Sequence, residues 1–596
     1  MKPRTLIHAP PNLRTFNAIG EVDDLQSCVF VVEMTEPLVD KPNPAEKEPI
    51  KSIEDASPYE PVVEPKTLKK LDDFIVLGRY TLLICILGEF LILNQLGNMF
   101  YMMYSGAEPK LVSCGQNVFN TTLNQKARCQ LYEAMNNGTQ KCTPVLEPQF
   151  QSVNYDWGYF CSKNKLVKQS VSVQMIGVII GAVIFGQFSD ACGRKPALLT
   201  ALAGCITCMV ASSFTNDLLT FTIARFLVNV FNGGCIAVQL VFSVENLPKR
   251  DRFWITNIIT WSPNIMVYAL IAYLTGDWRT LTRVSAVLTF VAVIVLLFCC
   301  ESPRYLIQRR EIDKARAAIK RIWKIDGRQL DEGELDDMLQ RELDAATKLQ
   351  QKKKRYTYLH LLYTSELTRY TIAIGFSLLA TSLVTYSLLF NMEKLSGSIY
   401  TNSLIMGGFR YTLNLITAIS DIKFKWLGRK LVHALAEGAI ILALLFFIVV
   451  YLLGKNEELR FFCSLAVLTV LANTTLLFST NGVLSSELFP TGIRNLSFSF
   501  GQVMSRIGTV LAPQIFFLSD FWNPLPYFVL IGFAAVDFVI FHFNTEETKG
   551  KEMRANMPSK NESWWPRKHK PTAGQDEPIE LLPTQDMEGN PVKLAT

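Results

Sequence analysis

Charge is scarce in this chain. Asp, Glu, Lys and Arg make up 19% of 596 residues, and histidine occurs only five times. An ordinary soluble domain carries about 25% charged residues. The net charge is only +6. No arginine-rich arm or nucleic-acid motif accompanies it, which excludes nucleic-acid binding. There is no Gly-x-x-x-x-Gly-Lys-Ser/Thr phosphate loop, so an ATP-driven pump is excluded. No His-Glu-x-x-His occurs and the histidines avoid the centres of apolar runs, so neither an enzyme, a resident metal nor a cofactor is expected. A potassium-type filter sequence is missing as well. The stretch 1–77 is polar and rich in Pro and Glu, without the apolar core of a cleavable signal. The first apolar run, from about Arg79, is therefore expected to act as both signal and anchor.

Long hydrophobic runs are what the chain does have. Hydrophobic residues make up 49% of it. Runs of membrane-spanning length fall at 80–104, 168–189, 197–215, 218–243, 254–275 and 282–300, and again at 369–391, 398–420, 431–453, 461–483, 496–519 and 524–543. A bilayer core of about 30 Å needs about 20 residues per helix, so about twelve spanning helices are expected. The expected organisation is a tail 1–77, a six-helix half 78–300, a hydrophilic segment 301–368, a second half 369–545 and a tail 546–596. Within 301–368, Ile312, Ala315, Ile319, Ile322 and Trp323 form one apolar stripe, as in a short helix lying on the membrane face. The tetrabasic Lys352–Arg355 reads as a solvated face or a lipid-headgroup contact.

Two signals fix the expected orientation. Arg194, Lys195, Lys249, Arg250, Arg252, Lys423, Lys425, Arg429, Lys430 and Arg494 fall in loops on one side, against few cations such as Arg279 and Lys455 opposite. The crowded side is cytoplasmic by the positive-inside rule, placing both termini inside. The loop 104–166 then lies outside. It carries Cys114, Cys129, Cys142 and Cys161 and two glycosylation sequons, at Asn120 and Asn137. Four cysteines beside sequons read as an oxidising, extracytoplasmic loop, with three pairings open.

One stretch organises the rest. Gly186-x-x-x-Asp190-x-x-Gly193-Arg194-Lys195 joins two apolar runs. Its glycines suit a tight turn and close helix approach, and Asp190 suits the positive end of a neighbouring helix. Landmarks of the first half recur in the second. Gly193-Arg194-Lys195 matches Gly428-Arg429-Lys430, with Lys425 where the first copy has Asp190. Glu245-x-x-Pro248-x-x-x-Arg252 matches Glu487-x-x-Pro490-x-x-x-Arg494, and Glu301-Ser302-Pro303-Arg304 has a loose echo at Glu547. The same order in both halves points to a parallel repeat.

These motifs resemble the major facilitator superfamily. The Glu301–Leu306 run, the Asn481–Asn495 run and the cysteine-bearing loop together look like its organic cation/anion/carnitine transporter family. The resemblance implies an all-α membrane protein with a major facilitator fold, about twelve transmembrane helices in two parallel six-helix repeats. It implies a plasma-membrane carrier of a small organic ion working by alternating access.

Intramembrane charges are costly and so mark function. Arg506 lies in the eleventh span, which by resemblance lines the cavity, where anion and carnitine carriers of this family have an arginine. Its guanidinium suits a carboxylate or sulfonate. The expected substrate is thus an organic anion or carnitine-like zwitterion, the alternative role for Arg506 being an ion pair with Glu89. Gln502, Tyr386, Phe478, Tyr268 and Arg410 complete the expected substrate site. Arg225 reads as structural or gating, and Glu89, Glu437 and Asp537 as acids that either carry protons or pair. Asp190, Arg194, Glu245, Arg252, Glu487 and Arg494 are expected to form an ion-pair lattice joining the halves. The rival readings are an organic cation carrier and a transporter-like receptor or scaffold.

Overall fold

The computed structural model describes residues 71–120, 123, 125–136, 142–248, 251, 255, 258–329, 331–352, 356–424, 426–551 and 557–558. Twelve helices form two bundles. The first holds α1 (Arg79–Ser105), α2 (Asn164–Cys192), α3 (Arg194–Ser212), α4 (Leu218–Asn246), α5 (Trp261–Thr275) and α6 (Trp278–Phe298). The second holds α7 (Ser365–Leu389), α8 (Ile399–Lys423), α9 (Arg429–Leu452), α10 (Arg460–Glu487), α11 (Arg494–Ile515) and α12 (Leu525–Asn544).

Among the described residues, nine of these are long and apolar enough to cross a membrane. The other three differ for identifiable reasons. Helix α5 has 15 described residues. Helices α8 and α11 have full length but carry Arg410 and Asp421, and Arg494 and Arg506, among many hydroxyl and amide side chains. Such polar spanning helices suit a path filled with water or substrate.

The packing repeats after six helices. Helix α1 packs on α4, α5 and α6, and α7 packs on α10, α11 and α12. Helix α4 packs on α2 and α3, and α10 on α8 and α9; the pair α3–α6 has its counterpart in α9–α12. The bundles join along two seams, α2 against α11 and α5 against α8. Each seam becomes the other when six is added to or subtracted from its helix numbers, as a parallel repeat requires.

Small residues set the closest crossing, between α2 and α4. A Cβ on Gly181 would fall onto the Val230 carbonyl, and one on Gly233 onto the Val178 carbonyl. Where lipid supplies no hydrophobic drive, such backbone proximity holds helices together. Gly181→Val should therefore overpack this crossing at a cost of roughly 1–3 kcal/mol or more. The expected result is a large loss of folded, monodisperse protein from the membrane fraction, read by size-exclusion chromatography in detergent; a normal yield would contradict it.

The loop after α1 is a small unit of its own. Strands β1 (Lys110–Cys114), β2 (Asn117–Val118) and β3 (Pro144–Glu147) pair antiparallel in the order β2-β1-β3, beside a helix at Gln125–Asn136. Of the three pairings open from sequence, the structure has Cys114–Cys142 and Cys129–Cys161. Leu111, Cys114 and Phe119 form its core with Tyr132, Met135, Leu146 and Phe160. We call this end of the bundle the loop end and the opposite one the basic end.

At the basic end the connection between halves folds as helices Pro303–Gln308, Ile312–Asp326 and Glu332–Lys352. The apolar stripe on Ile312–Asp326 is not left for lipid. Ala315, Ala318, Ile319 and Ile322 are buried with Leu71, Phe74, Leu335, Met338 and Leu339. The expected membrane-face helix is thus a protein-packed one, because neighbouring segments supply the apolar partner. The tetrabasic run lies outside the described residues apart from the backbone of Lys352.

Candidate functional site

Three groups of polar side chains stand out along the bundle, beginning at the basic end. Gly193, with φ of 112°, makes the sharp α2–α3 turn that few other residues could adopt. Gly186 meets open space, so close helix approach is the work of Gly177 and Gly181 instead. Asp190 bonds the Arg194 side chain one turn later, and Arg194 also lies 3.5 Å from Glu245. The anion over the N-terminus of α3 is Glu301, which accepts from the Arg194 and Lys195 backbone N–H groups at 3.0–3.2 Å. Burial pushes the Glu301 carboxyl above the usual range, and the N–H groups of Ser302, Lys195 and Arg194 pull it partly back. Lys195 Nζ meanwhile donates to the Leu297 and Cys299 carbonyls at the end of α6.

The second half rebuilds this arrangement part for part. Arg429 bonds Asp421 and lies 3.8 Å from Glu487. Glu547 accepts from the Arg429 and Lys430 N–H groups over the N-terminus of α9. Lys430 Nζ donates to the Thr545 carbonyl. Lys549 bonds Asp421 and the Phe424 and Leu427 carbonyls, as Arg309 bonds the Asp190 and Ala191 carbonyls in the first half.

Asp421 thus takes in the second copy the place that Asp190 has in the first. Asp421 stands eight residues before Arg429 where Asp190 stands four before Arg194, because a longer connection separates α8 from α9. Lys425, the aligned position, lies outside the described residues. The ion pairs named here form two clusters, one inside each half. Pro248, Pro490 and Arg494 are buried nearby and Arg304 is half-buried, while Arg252 lies outside the described residues.

The second group closes the loop end across the two halves. Tyr104 of α1 donates to Ser403 of α8 at 3.1 Å, and its ring stacks on Tyr400 and meets Tyr268 edge-on. Lys168 of α2 pairs with Glu393 at 3.1 Å and bonds the Phe390 carbonyl, with both charged side chains less than 10% exposed. Gln149 binds Ile399 and Tyr400, Lys165 pairs with Asp520, and Ser172 bonds Val510 and Gln514. Glu108 joins the disulfide loop to this closure by accepting from Cys161 N–H and Asn164. Burial pushes its carboxyl up, and nearby Lys394 opposes the rise. Sequence reasoning missed Lys168, Glu393 and Tyr104; a lysine at the rim of an apolar run was the available signal. Asn120 is exposed on the same loop, while Asn137 and the threonines following Asn120 lie outside the described residues.

The third group lies between the ends. Tyr386 of α7 is buried, within hydrogen-bonding reach of Arg506 of α11 and electrostatic reach of Arg410 of α8. Arg410 is 8% exposed, and its Nε and Nη1 atoms have no hydrogen-bond partner. Among the described residues no carboxylate pairs with either arginine. Glu89 instead accepts from Asn264 at 2.7 Å. Gln502 is exposed one turn before Arg506.

Two other expected lining residues stand elsewhere. Tyr268 belongs to the loop-end closure, and Phe478 packs among Tyr370, Leu484 and Phe489 toward the basic end. Arg225 is sealed inside the first half, 3.9 Å above the Tyr101 ring and bonded to Asn98.

Two six-helix bundles related by a parallel repeat, sealed at one end and charged at the other, define a transporter of the major facilitator class. An inward-open structure of the xylose transporter from E. coli matches this fold with a TM-score of 0.57, covering 79% of this chain and 98% of that one at 15% identity. The family model "Sugar (and other) transporter" matches residues 115–556, and the chain belongs to that family. It is similar to the "Organic cation transporter-like protein" of Drosophila melanogaster, 25% identical, covering 69% of this chain and 76% of the relative. It is also similar to "Organic anion transporter 3" of Mus musculus, 25% identical, covering 65% of this chain and 72% of the relative. The chain is thus a multi-pass membrane transporter and not an enzyme.

Proposed function

We propose that the chain moves a small organic ion across the plasma membrane by alternating access, and that Arg506 and Arg410 receive an anionic group on that substrate. The supporting observation is the pair of guanidinium groups around Tyr386, Arg410 buried and Arg506 half-buried, with no carboxylate partner among the described residues. A buried cation without a counter-ion is unfavourable, and a ligand carboxylate or sulfonate would relieve it with bidentate hydrogen bonds. Relatives bear both cation and anion names, so the arginine on α11 carries the choice of charge. The disulfide loop supports an extracellular loop end, with both chain termini in the cytoplasm.

In this reading the structure is the state closed to the outside. The two basic-end clusters would face each other and close when the loop end opens. Asp190→Asn and Asp421→Asn should then each slow uptake by roughly tenfold, the scale of one charge-assisted hydrogen bond, with surface expression intact. Unchanged uptake in both variants would remove the clusters from the gate.

The direct test is a panel of labelled organic anions, zwitterions and cations, given to expressing cells and to liposomes holding the purified protein. Accumulation of anions or carnitine-like zwitterions is expected. Accumulation of cations alone would overturn the charge assignment, and binding without accumulation would mark a receptor or scaffold.

A further inference from the structure

A polar cluster apart from the Arg506 group lies between α7, α9, α10 and α12. Ser377, His433, Glu437, Asn481 and Asp537 are each no more than 2% exposed. The Ser377 hydroxyl is its hub. It donates to Asp537 Oδ2 at 2.9 Å, accepts from Asn481 Nδ2 at 2.8 Å, and meets His433 Nε2 at 2.9 Å. A serine oxygen has one proton and two lone pairs, so this set uses them all and makes His433 Nε2 a donor. The His433 ring lies flat on Phe541 at 3.4 Å, and its Nε2 is 3.9 Å from Asp537 Oδ2. Glu437, one turn after His433, acts electrostatically on Asp537. Three buried atoms of the cluster have no hydrogen-bond partner among the described residues: Glu437 Oε2, Asp537 Oδ1 and Asn481 Oδ1.

The charge balance decides what completes it. The titratable groups facing one another are His433 and Glu437 from α9 and Asp537 from α12; α7 and α10 contribute Ser377 and Asn481. Two bare carboxylates close together in a low-dielectric core cannot both stay ionised beside one imidazole. An electroneutral cluster has either a neutral imidazole with two carboxylic acids, or an imidazolium with one acid and one carboxylate. Both need a proton on a carboxyl.

We propose that this cluster is a proton-binding site of the transport cycle, with the proton held on Glu437 Oε2 or Asp537 Oδ1. On release the O–H bond breaks, the proton passes to water and a carboxylate remains. Helix α7 links the site to the substrate group. Ser382, further along α7 from Ser377, bonds Ser505 of α11 at 2.6 Å, beside Arg506. The assignment of the proton to the transport cycle rests on the transporter reading above; the site itself does not.

The test is infrared spectroscopy of the purified full chain in liposomes through a pH titration. The wild type should show a protonated-carboxyl band at neutral pH that vanishes on alkaline titration. Glu437→Gln or Asp537→Asn should remove or shift it. Should either variant misfold, carbon-13 labelling of aspartate or glutamate in the wild type should move the same band. No band at neutral pH, or one moved by neither substitution nor labelling, would overturn the site. So would a band abolished when sodium replaces choline in the buffer, which would mark a metal cation as occupant. For coupling, a pH gradient should drive uptake of the accumulated probe in the wild type and lose that drive in Glu437→Gln, with exchange in the absence of a gradient retained. Equal gradient-driven uptake in both would overturn the coupling. Were the probe bound without accumulating, the transport reading would fall while the carboxyl band still decided the site.

Discussion

Replacing Arg506 by alanine should lower uptake of an anionic probe by about tenfold to over a hundredfold, because a hydrogen bond to a charged partner contributes roughly 1.5–3 kcal/mol. Arg506→Lys should recover only part of the loss, since an ammonium lacks the planar fork of a guanidinium. Arg506→Asp should go further and favour a cationic probe over an anionic one. Surface expression of the three variants, and uptake of both probes, provide the measurement. An alanine variant with undiminished anion uptake would show that the guanidinium beside Tyr386 does not meet the substrate. Arg410 offers an internal comparison. It is the more deeply buried of the two and leaves two nitrogen atoms without partners. Arg410→Ala should therefore reduce uptake while also relieving a buried charge, so thermal stability should hold or rise.

Glu393→Gln should shift the molecule away from the state closed at the loop end. Lys168 and Glu393 are both nearly covered in the closed arrangement, with side-chain exposures of 8% and 6%. Removing one partner of a buried pair costs roughly 3–5 kcal/mol, chiefly by stranding the other charge. The Phe390 carbonyl still accepts from Lys168, which places the cost toward the lower end. Even so, the closed population should fall by roughly a hundredfold relative to the open one, at about 1.4 kcal/mol per tenfold. A cysteine placed at Ser403, under the Tyr104 contact, should react faster with an impermeant maleimide in the Glu393→Gln background. The exchanged pair Lys168→Glu with Glu393→Lys should restore slow labelling. An unchanged labelling rate in Glu393→Gln would remove this ion pair from the closure.

Much of the architecture was legible because lipid leaves a helix few options. Apolar length gave the spans, and recurring Gly-Arg-Lys and Glu-x-x-Pro landmarks gave the duplication. What escaped were relations that depend on where a helix ends. Asp421 was invisible as the counterpart of Asp190 because alignment by residue number put Lys425 in its place. Glu301 and Glu547 were noticed as an echo, yet their task at two helix N-termini needed the fold to bring a distant segment back. The substrate group was half legible. Arg506, Tyr386 and Arg410 come together, whereas Tyr268 packs on Tyr104 and Phe478 on the cluster of Tyr370 and Phe489. Aromatic residues serve packing and recognition equally well, and composition alone does not separate the two uses. The closure by Lys168 and Glu393 joins residues from different halves, a pairing that no local pattern announces.

The helices are not where the working body of the second half stops. Helix α12 finishes at Asn544, but Glu547, Thr548 and Lys549 then turn back to hold α9, Glu487 and Asp421. A stop codon directly after Asn544 would spare all twelve helices and still leave α9 without its anion and Asp421 without its ammonium. One placed after Lys551 would keep both, so premature termination a handful of codons apart should separate a chain that has lost this cluster from one that retains it.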